Sequence, residues 1–323
     1  MAANPTILVS ADVAAESLSA EDAAPGATIL HAKDAAQFEH HLPQAEIVAG
    51  AVPAALLARA DRLEWVHSWA AGPDHQLYDA FISHGAILTS SAGNGAIPLA
   101  EHAMMLMLML SRNATRWIDS QRQKRWDRFT HGELNGQTLG IIGAGHSGKD
   151  LALKAKAFHM RVLGLRRTNQ PAENFDHFYA RDQLHAMLGR CDFVVVTAPL
   201  TPETRGMIDA AALAAMKPSA FIICFSRGGI IDDAALLEAL ASGAIAGAGL
   251  DAHGIEPLPS DSPFWDAPNT IITPHNGATT DATRERGLGI FIENLRRYVT
   301  GQDTLINLVD KRAGYLRILT RFS

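Results

Sequence analysis

Thr138-Leu-Gly-Ile-Ile-Gly-Ala-Gly-His-Ser-Gly148 is the stretch on which the reading of this chain turns. Five residues of strand character run straight into Gly143-x-Gly145-x-x-Gly148, and a helix-like segment, Lys149–Phe158, follows at once. That order gives each glycine a task. Gly143 permits the tight turn, Gly145 lets the backbone approach a pyrophosphate, and Gly148 allows close helix–strand packing. Amides at the helix start then bind the phosphates. Gly143, Gly148 and Lys149 also fit the start of a nucleoside-triphosphate loop. That loop needs Ser or Thr next, to hold Mg²⁺, and residue 150 is Asp. The stretch is read as a dinucleotide site.

Working outward, short Val- and Ile-rich runs recur at Arg161–Leu165, Phe193–Thr197, Phe221–Phe225, Ile245–Leu250 and Thr270–Thr273. Such runs fit strands buried on both faces. Helix-like segments at Asp182–Leu188, Asp209–Met216 and Asp232–Ala241 separate several of them, so the chain predicts right-handed βαβ units and a parallel sheet. Upstream, Pro98–Arg112 begins with a first-turn proline and is apolar on every face, which predicts a helix buried between two layers. The first hundred residues carry weaker strand signals at Thr6–Ser10, Ile29-Leu30, Glu46–Ala49 and Leu63–Val66, consistent with a small α/β unit. Ile290–Val299 reads as a final helix.

Cofactor choice is read at the end of the strand after the turn. An acidic residue there binds a ribose 2′-hydroxyl, whereas Arg accommodates a 2′-phosphate. Eighteen positions beyond Gly148 stand Arg166 and Arg167, in Gly-Leu-Arg-Arg-Thr168. Two guanidinium groups pair well with a phosphate. NADP(H) is therefore expected, with NAD(H) as the alternative.

Ligands of open α/β sheets bind at the carboxyl ends of the strands. Three successive strand ends deliver Arg227 in Ser-Arg-Gly-Gly229, Asp251 with Glu256, and His275 in Pro-His-Asn-Gly277. An arginine, a carboxylate and a histidine beside a nicotinamide make a chemistry set for reducing a 2-oxo acid.

These segments, with Pro199-Leu-Thr-Pro-Glu-Thr204, Glu256-Pro-Leu-Pro259 and Ile306-Asn-Leu-Val-Asp310, resemble the D-isomer-specific 2-hydroxyacid dehydrogenases, including the glyoxylate/hydroxypyruvate reductases. The resemblance is strongest from about Ala100 to Asp310. It implies a Rossmann-type doubly wound parallel sheet over residues 101–289 and a smaller flavodoxin-like α/β substrate domain over 1–100, completed by 290–323. Arg227 resembles the arginine that holds the substrate carboxylate and polarises its carbonyl. His275 resembles the acid/base, and Glu256 the carboxylate paired with it, an arrangement expected to favour the imidazolium. Ala71 and Gly72 resemble a turn whose amides receive the substrate carboxylate. Cofactor contacts are implied at His146, Ser147, Pro199, Thr204, Phe225, Ser226, Asp251 and His275. Two departures stand out: Ala252-His253-Gly254 where the family commonly has an apolar pair, and Phe225-Ser226 in place of the more usual polar and small residues. A homodimer, a glyoxylate or hydroxypyruvate substrate and the D-2-hydroxy acid product follow from the same resemblance. The rivals within the fold are a dinucleotide-sensing corepressor and a phosphite or formate dehydrogenase; Glu256 speaks against formate oxidation, which transfers no proton.

Composition is compatible with all this. The 323 residues are 47% hydrophobic and 19% charged, an ordinary globular mix. A net charge of −6 disfavours nucleic acid as a partner. Two cysteines, Cys191 and Cys224, make no disulfide framework, and no His/Cys/Glu spacing suggests a metal site. The start, Met1-Ala-Ala-Asn-Pro5, shows no signal-peptide pattern, and the longest apolar run, Ala103–Leu110, is far short of the ~20 residues of a membrane span. A cytoplasmic enzyme with no membrane partner is expected.

Overall fold

The computed structural model describes residues 4–10, 24–166, 171–302 and 304–316. The chain divides into two compact units, Met1–Asn94 with Thr280–Ser323, and Gly95–Thr279. The sequence reading put these boundaries at 100 and 290.

The first unit holds β1 (Thr6–Val9), β2 (Thr28–His31), α1 (Ala35–His41), β3 (Ile47–Ala49), β4 (Trp65–Ser68), α2 (Asp79–Ser83) and β5 (Ile87–Ser90). These five strands form one parallel sheet in the order β2-β1-β3-β4-β5, which is the flavodoxin-like winding. Helix α9 (Asp281–Val299) returns to this unit, where Phe291 and Tyr298 pack on Trp65 with ring centroids 5.5 and 5.4 Å apart. The helix begins nine residues before the expected Ile290, capped by the Thr280 side chain.

Two polar strand ends account for differences from the sequence reading. Strand β4 runs on to Ser68 instead of stopping at Val66, and β5 was not anticipated. His67 and Thr89 are fully buried, so hydrophobic alternation does not report them. A side-chain row replaces it: Trp65 Nε1 donates to Thr89 Oγ1 at 2.8 Å, and the His67 ring lies 2.8 Å from Thr89 Oγ1 and 3.1 Å from Ser91 Oγ. Burial pushes the His67 imidazole down to about 3. Below pH 6.5 the unfolded chain therefore takes up a proton that the folded chain refuses, and stability falls as pH falls. The expected loss is about 2 kcal/mol at pH 5. Urea unfolding at pH 7 and pH 5 measures it, and His67→Gln should remove that part of the acid slope; an unchanged slope in the variant would refute the assignment.

The second unit opens with α3 (Ala96–Arg112) and α4 (Ala114–Arg122). A seven-stranded parallel sheet follows: β6 (Thr138–Ile142), β7 (Arg161–Leu165), β8 (His177–Tyr179), β9 (Phe193–Val196), β10 (Phe221–Cys224), β11 (Gly247–Leu250) and β12 (Thr270–Ile272). Its order is β12-β11-β10-β9-β6-β7-β8. The direction of winding reverses between β6 and β9, so the crevice beside the Gly143–Gly148 turn is the topological switch point. Helices α5 (His146–Ala157), α6 (Leu184–Leu188), α7 (Ala210–Ala214) and α8 (Asp233–Ser242) complete the unit. Edge strand β8 has three residues and one buried side chain, too short and mixed a run to carry a strand signal in the sequence.

Helix α3 corrects one expectation. It packs against α5 and the sheet, with Leu106 against Gly249, but Ile97 and Met105 are exposed, so it is buried on one side only. Cys191 and Cys224 are free and buried, and burial pushes the Cys191 thiol up to about 12. Both behave as small apolar residues. Among the described residues no helix is long and apolar enough to cross a membrane, and no group of three or more His, Cys, Asp or Glu could hold a metal ion.

Candidate active site

The glycine turn is built for a close ligand. Gly143 has φ 107°, and a Cβ there would lie 2.8 Å from the Ala198 amide nitrogen. At Gly148 a Cβ would come within 2.2 Å of the Gly143 carbonyl oxygen. Both glycines are thus demanded by the chain itself. Gly145 is different: nothing lies within 4 Å of the place its Cβ would take. It is also the N-cap of α5 and supplies no capping side chain, so first-turn amides around His146 and Ser147 lack a side-chain cap. The helix starts inside the motif, three residues before the expected Lys149. Open space over uncapped amides fits a dinucleotide pyrophosphate.

At the end of β7 the Arg166 guanidinium lies 3.8 Å above the Phe178 ring. Its Nε and Nη2 are buried without a hydrogen-bond partner among the described residues. Burial accordingly lowers its pKa. Unpartnered buried donors are costly, and a phosphate would satisfy them. Arg167 lies outside the described residues.

The adjacent ends of β11 and β12 then assemble a polar cluster. His275 Nδ1 lies 2.7 Å from Glu256 Oε2 and 2.9 Å from Oε1. Burial opposes the Glu256 charge, but the His253 amide, which donates to Oε1 at 2.8 Å, and the His275 ring outweigh it and hold the carboxyl below the usual glutamate range. His275 has φ 52°, a left-handed conformation that costs a non-glycine residue about 1–2 kcal/mol. Asp251 holds that backbone in place. Fully buried, it accepts from the amides of Asn276 at 3.1 Å and Gly277 at 3.0 Å, and from Thr273 Oγ1 at 2.6 Å. Gly277 is needed there because a Cβ would meet Asp251 Oδ2 at 2.9 Å. His102 of α3, which carried no signal in the sequence, joins this network through Thr273 Oγ1 at 2.9 Å. Only the packing of α3 on the sheet could reveal it.

Arg227 follows β10, half-buried, with Nη1 donating to the Ser226 carbonyl at 2.7 Å. Its loop rests directly on the next one: a Cβ at Gly228 would lie 1.9 Å from the His253 carbonyl oxygen. The remaining expected residues are placed differently. Phe225 turns its ring into the core. Thr204 Oγ1 donates to the Pro199 carbonyl at 2.7 Å and shapes its own loop. Ala71 and Gly72 belong to the first unit, in the turn after β4, where Ser90 Oγ donates to the Ala71 carbonyl at 3.2 Å.

A Rossmann-type dinucleotide unit with an imidazole–carboxylate pair at its strand ends defines an oxidoreductase-like class. The family comparison agrees: the family described as D-isomer specific 2-hydroxyacid dehydrogenase, NAD binding domain, matches residues 104–277. The chain belongs to the D-isomer specific 2-hydroxyacid dehydrogenases. It is 35% identical over 261 residues to glyoxylate/hydroxypyruvate reductase B of Pectobacterium atrosepticum, covering 78% of this chain and 81% of that one. It is 34% identical over 253 residues to D-3-phosphoglycerate dehydrogenase of Mycobacterium bovis, covering 78% of this chain but 48% of that protein. The chain thus spans about half the length of the phosphoglycerate dehydrogenases it matches. Among solved structures, an NADPH-dependent glyoxylate/hydroxypyruvate reductase from Sinorhizobium meliloti, in complex with NADP and sulfate, superposes with a TM-score of 0.84. It is 31% identical, and the match covers 97% of this chain and 100% of that one.

Proposed function

We propose that this chain transfers hydride reversibly between NADP(H) and a small 2-oxo acid/D-2-hydroxy acid pair, glyoxylate or hydroxypyruvate being the substrate on the oxo side. The observation that carries this reading is the 2.7 Å contact between His275 and Glu256 at the edge of a sheet whose switch point bears the glycine turn. The backbone of Gly143, Gly145, His146, Ser147 and Gly148 would hold the pyrophosphate, and Arg166 with Arg167 the 2′-phosphate. Backbone at Pro199, Thr204, Phe225 and Ser226 would border the cofactor. When bound, the nicotinamide supplies or accepts the hydride. Glu256 occupies His275 Nδ1, which leaves Nε2 to give a proton to the new alkoxide or to take it back in oxidation. Arg227 binds the carboxylate and draws electron density from the carbonyl. Asp251 acts by fixing the loop that carries His275.

A panel of 2-oxo acids run in parallel with NADPH and NADH tests the reading; absence of turnover with every acid would overturn it. The Arg166 assignment has its own measurement. Charge-assisted hydrogen bonds are worth about 1.5–3 kcal/mol, so Arg166→Ala should raise KM for NADPH roughly 10- to 100-fold while leaving NADH unaffected. A variant that loses both cofactors equally would show that Arg166 does not discriminate them.

The exposed Met105, Trp117, Ile118 and Trp126 on and beside α3 and α4 support a homodimer through the second unit.

A further inference from the structure

His253 sits in the loop between Asp251 and Glu256, and the structure gives its side chain a use. The His253 side chain is buried, 8% of the residue being exposed. Its Nε2 lies 3.1 Å from the Thr273 carbonyl oxygen, so Nε2 must carry the proton and donate it. Its Nδ1 is buried and has no hydrogen-bond partner among the described residues, leaving that one bond as the ring's polar anchor. Thr273 is the last residue to bond into the sheet, its amide donating to the Leu250 carbonyl at 2.9 Å, and Pro274 next to it has no N–H. The carbonyl held by His253 is therefore the point at which the His275 loop leaves β12. The same residue holds the other partner, since its amide donates to Glu256 Oε1 at 2.8 Å. Its carbonyl oxygen lies against Gly228, next to Arg227.

We propose that His253 is a positioning residue, a tie whose ring and backbone together fix the loops of Glu256, His275 and Arg227 relative to one another. A phenylalanine of similar size keeps the backbone contacts and loses the ring's hydrogen bond, so it isolates the bond to Thr273. A glutamine restores it, because its Nε2 reaches about as far as that of histidine. The inference rests on the functional reading above, but its test does not depend on turnover alone. His253→Phe should lower kcat about tenfold, with KM for NADPH unchanged. Hydrogen–deuterium exchange of the cofactor-free protein, followed on peptides spanning 273–280, should be about tenfold faster in this variant, with exchange in β6 unaltered. His253→Gln should return both kcat and exchange to near the wild-type values. Unchanged exchange in His253→Phe would overturn the proposal, as would a loosened loop with intact kcat or a loss that His253→Gln does not restore. Should the phenylalanine variant not fold, His253→Asn, whose amide is too short to reach Thr273, serves with the same readouts. If wild-type protein reduces no 2-oxo acid, the functional reading fails, and the exchange measurements still decide whether His253 ties the loop.

Discussion

His275→Ala should lower kcat/KM for 2-oxo acid reduction by about 10²- to 10⁴-fold, the usual weight of a positioned general acid. The loss should fall mainly on kcat, since the imidazole gives its proton as the alkoxide forms. NADPH affinity, measured by fluorescence titration, should stay within a few-fold of wild type, because the glycine turn does not depend on this ring. Arg227→Ala should cost about 10²- to 10³-fold, the range for removing a group that stabilises developing negative charge. Its effect should appear in KM for the acid as well as in kcat, because a guanidinium that holds the carboxylate acts in the ground state and the transition state alike. Turnover that survives both substitutions unchanged would place the chemistry elsewhere in the molecule.

Gly145→Ala is expected to weaken NADPH binding on the order of 10- to 100-fold, as a methyl group intrudes on a close backbone–phosphate approach. The apo protein should unfold at nearly the same temperature as wild type, because nothing in the chain lies within 4 Å of the added Cβ. Gly148→Ala is the contrasting variant. Its Cβ would meet the Gly143 carbonyl oxygen at 2.2 Å, so the turn itself must shift, and both thermal stability and cofactor binding should fall. Calorimetry and titration on the two variants separate a glycine kept for the ligand from one kept for the fold. Wild-type NADPH affinity in Gly145→Ala would mean that the pyrophosphate does not lie over this turn.

The parts of the second unit that were legible in the sequence share one property: their signal is local. Val- and Ile-rich strands buried on both faces announce themselves by composition, and the glycine turn by spacing between a strand and a helix. Arg227, Glu256 and His275 could be picked out because each stands at the end of such a strand. In the first unit the signal was weaker, since His67, Ser68, Thr89 and Ser90 are buried polar residues, and the partner that His67 finds in Thr89 lies on the neighbouring strand. The all-round apolar character of Pro98–Arg112 misled in the opposite direction, because an exposed Met105 looks the same in sequence as a buried one.

By itself the sequence determined a parallel α/β chain with a dinucleotide turn, an arginine pair after the next strand, and three polar strand ends. These follow from short-range rules of backbone conformation and from the order of strands and helices. Only the tertiary structure decided that Asp251 spends its carboxylate on the His275 loop, that His102 and His253 belong to the same network, and that Gly145 alone of the three motif glycines opens onto empty space. Hydrogen bonds and steric clearances of this kind join residues far apart in the chain, and their existence depends on strand register and on differences of a few tenths of an ångström that no residue spacing encodes.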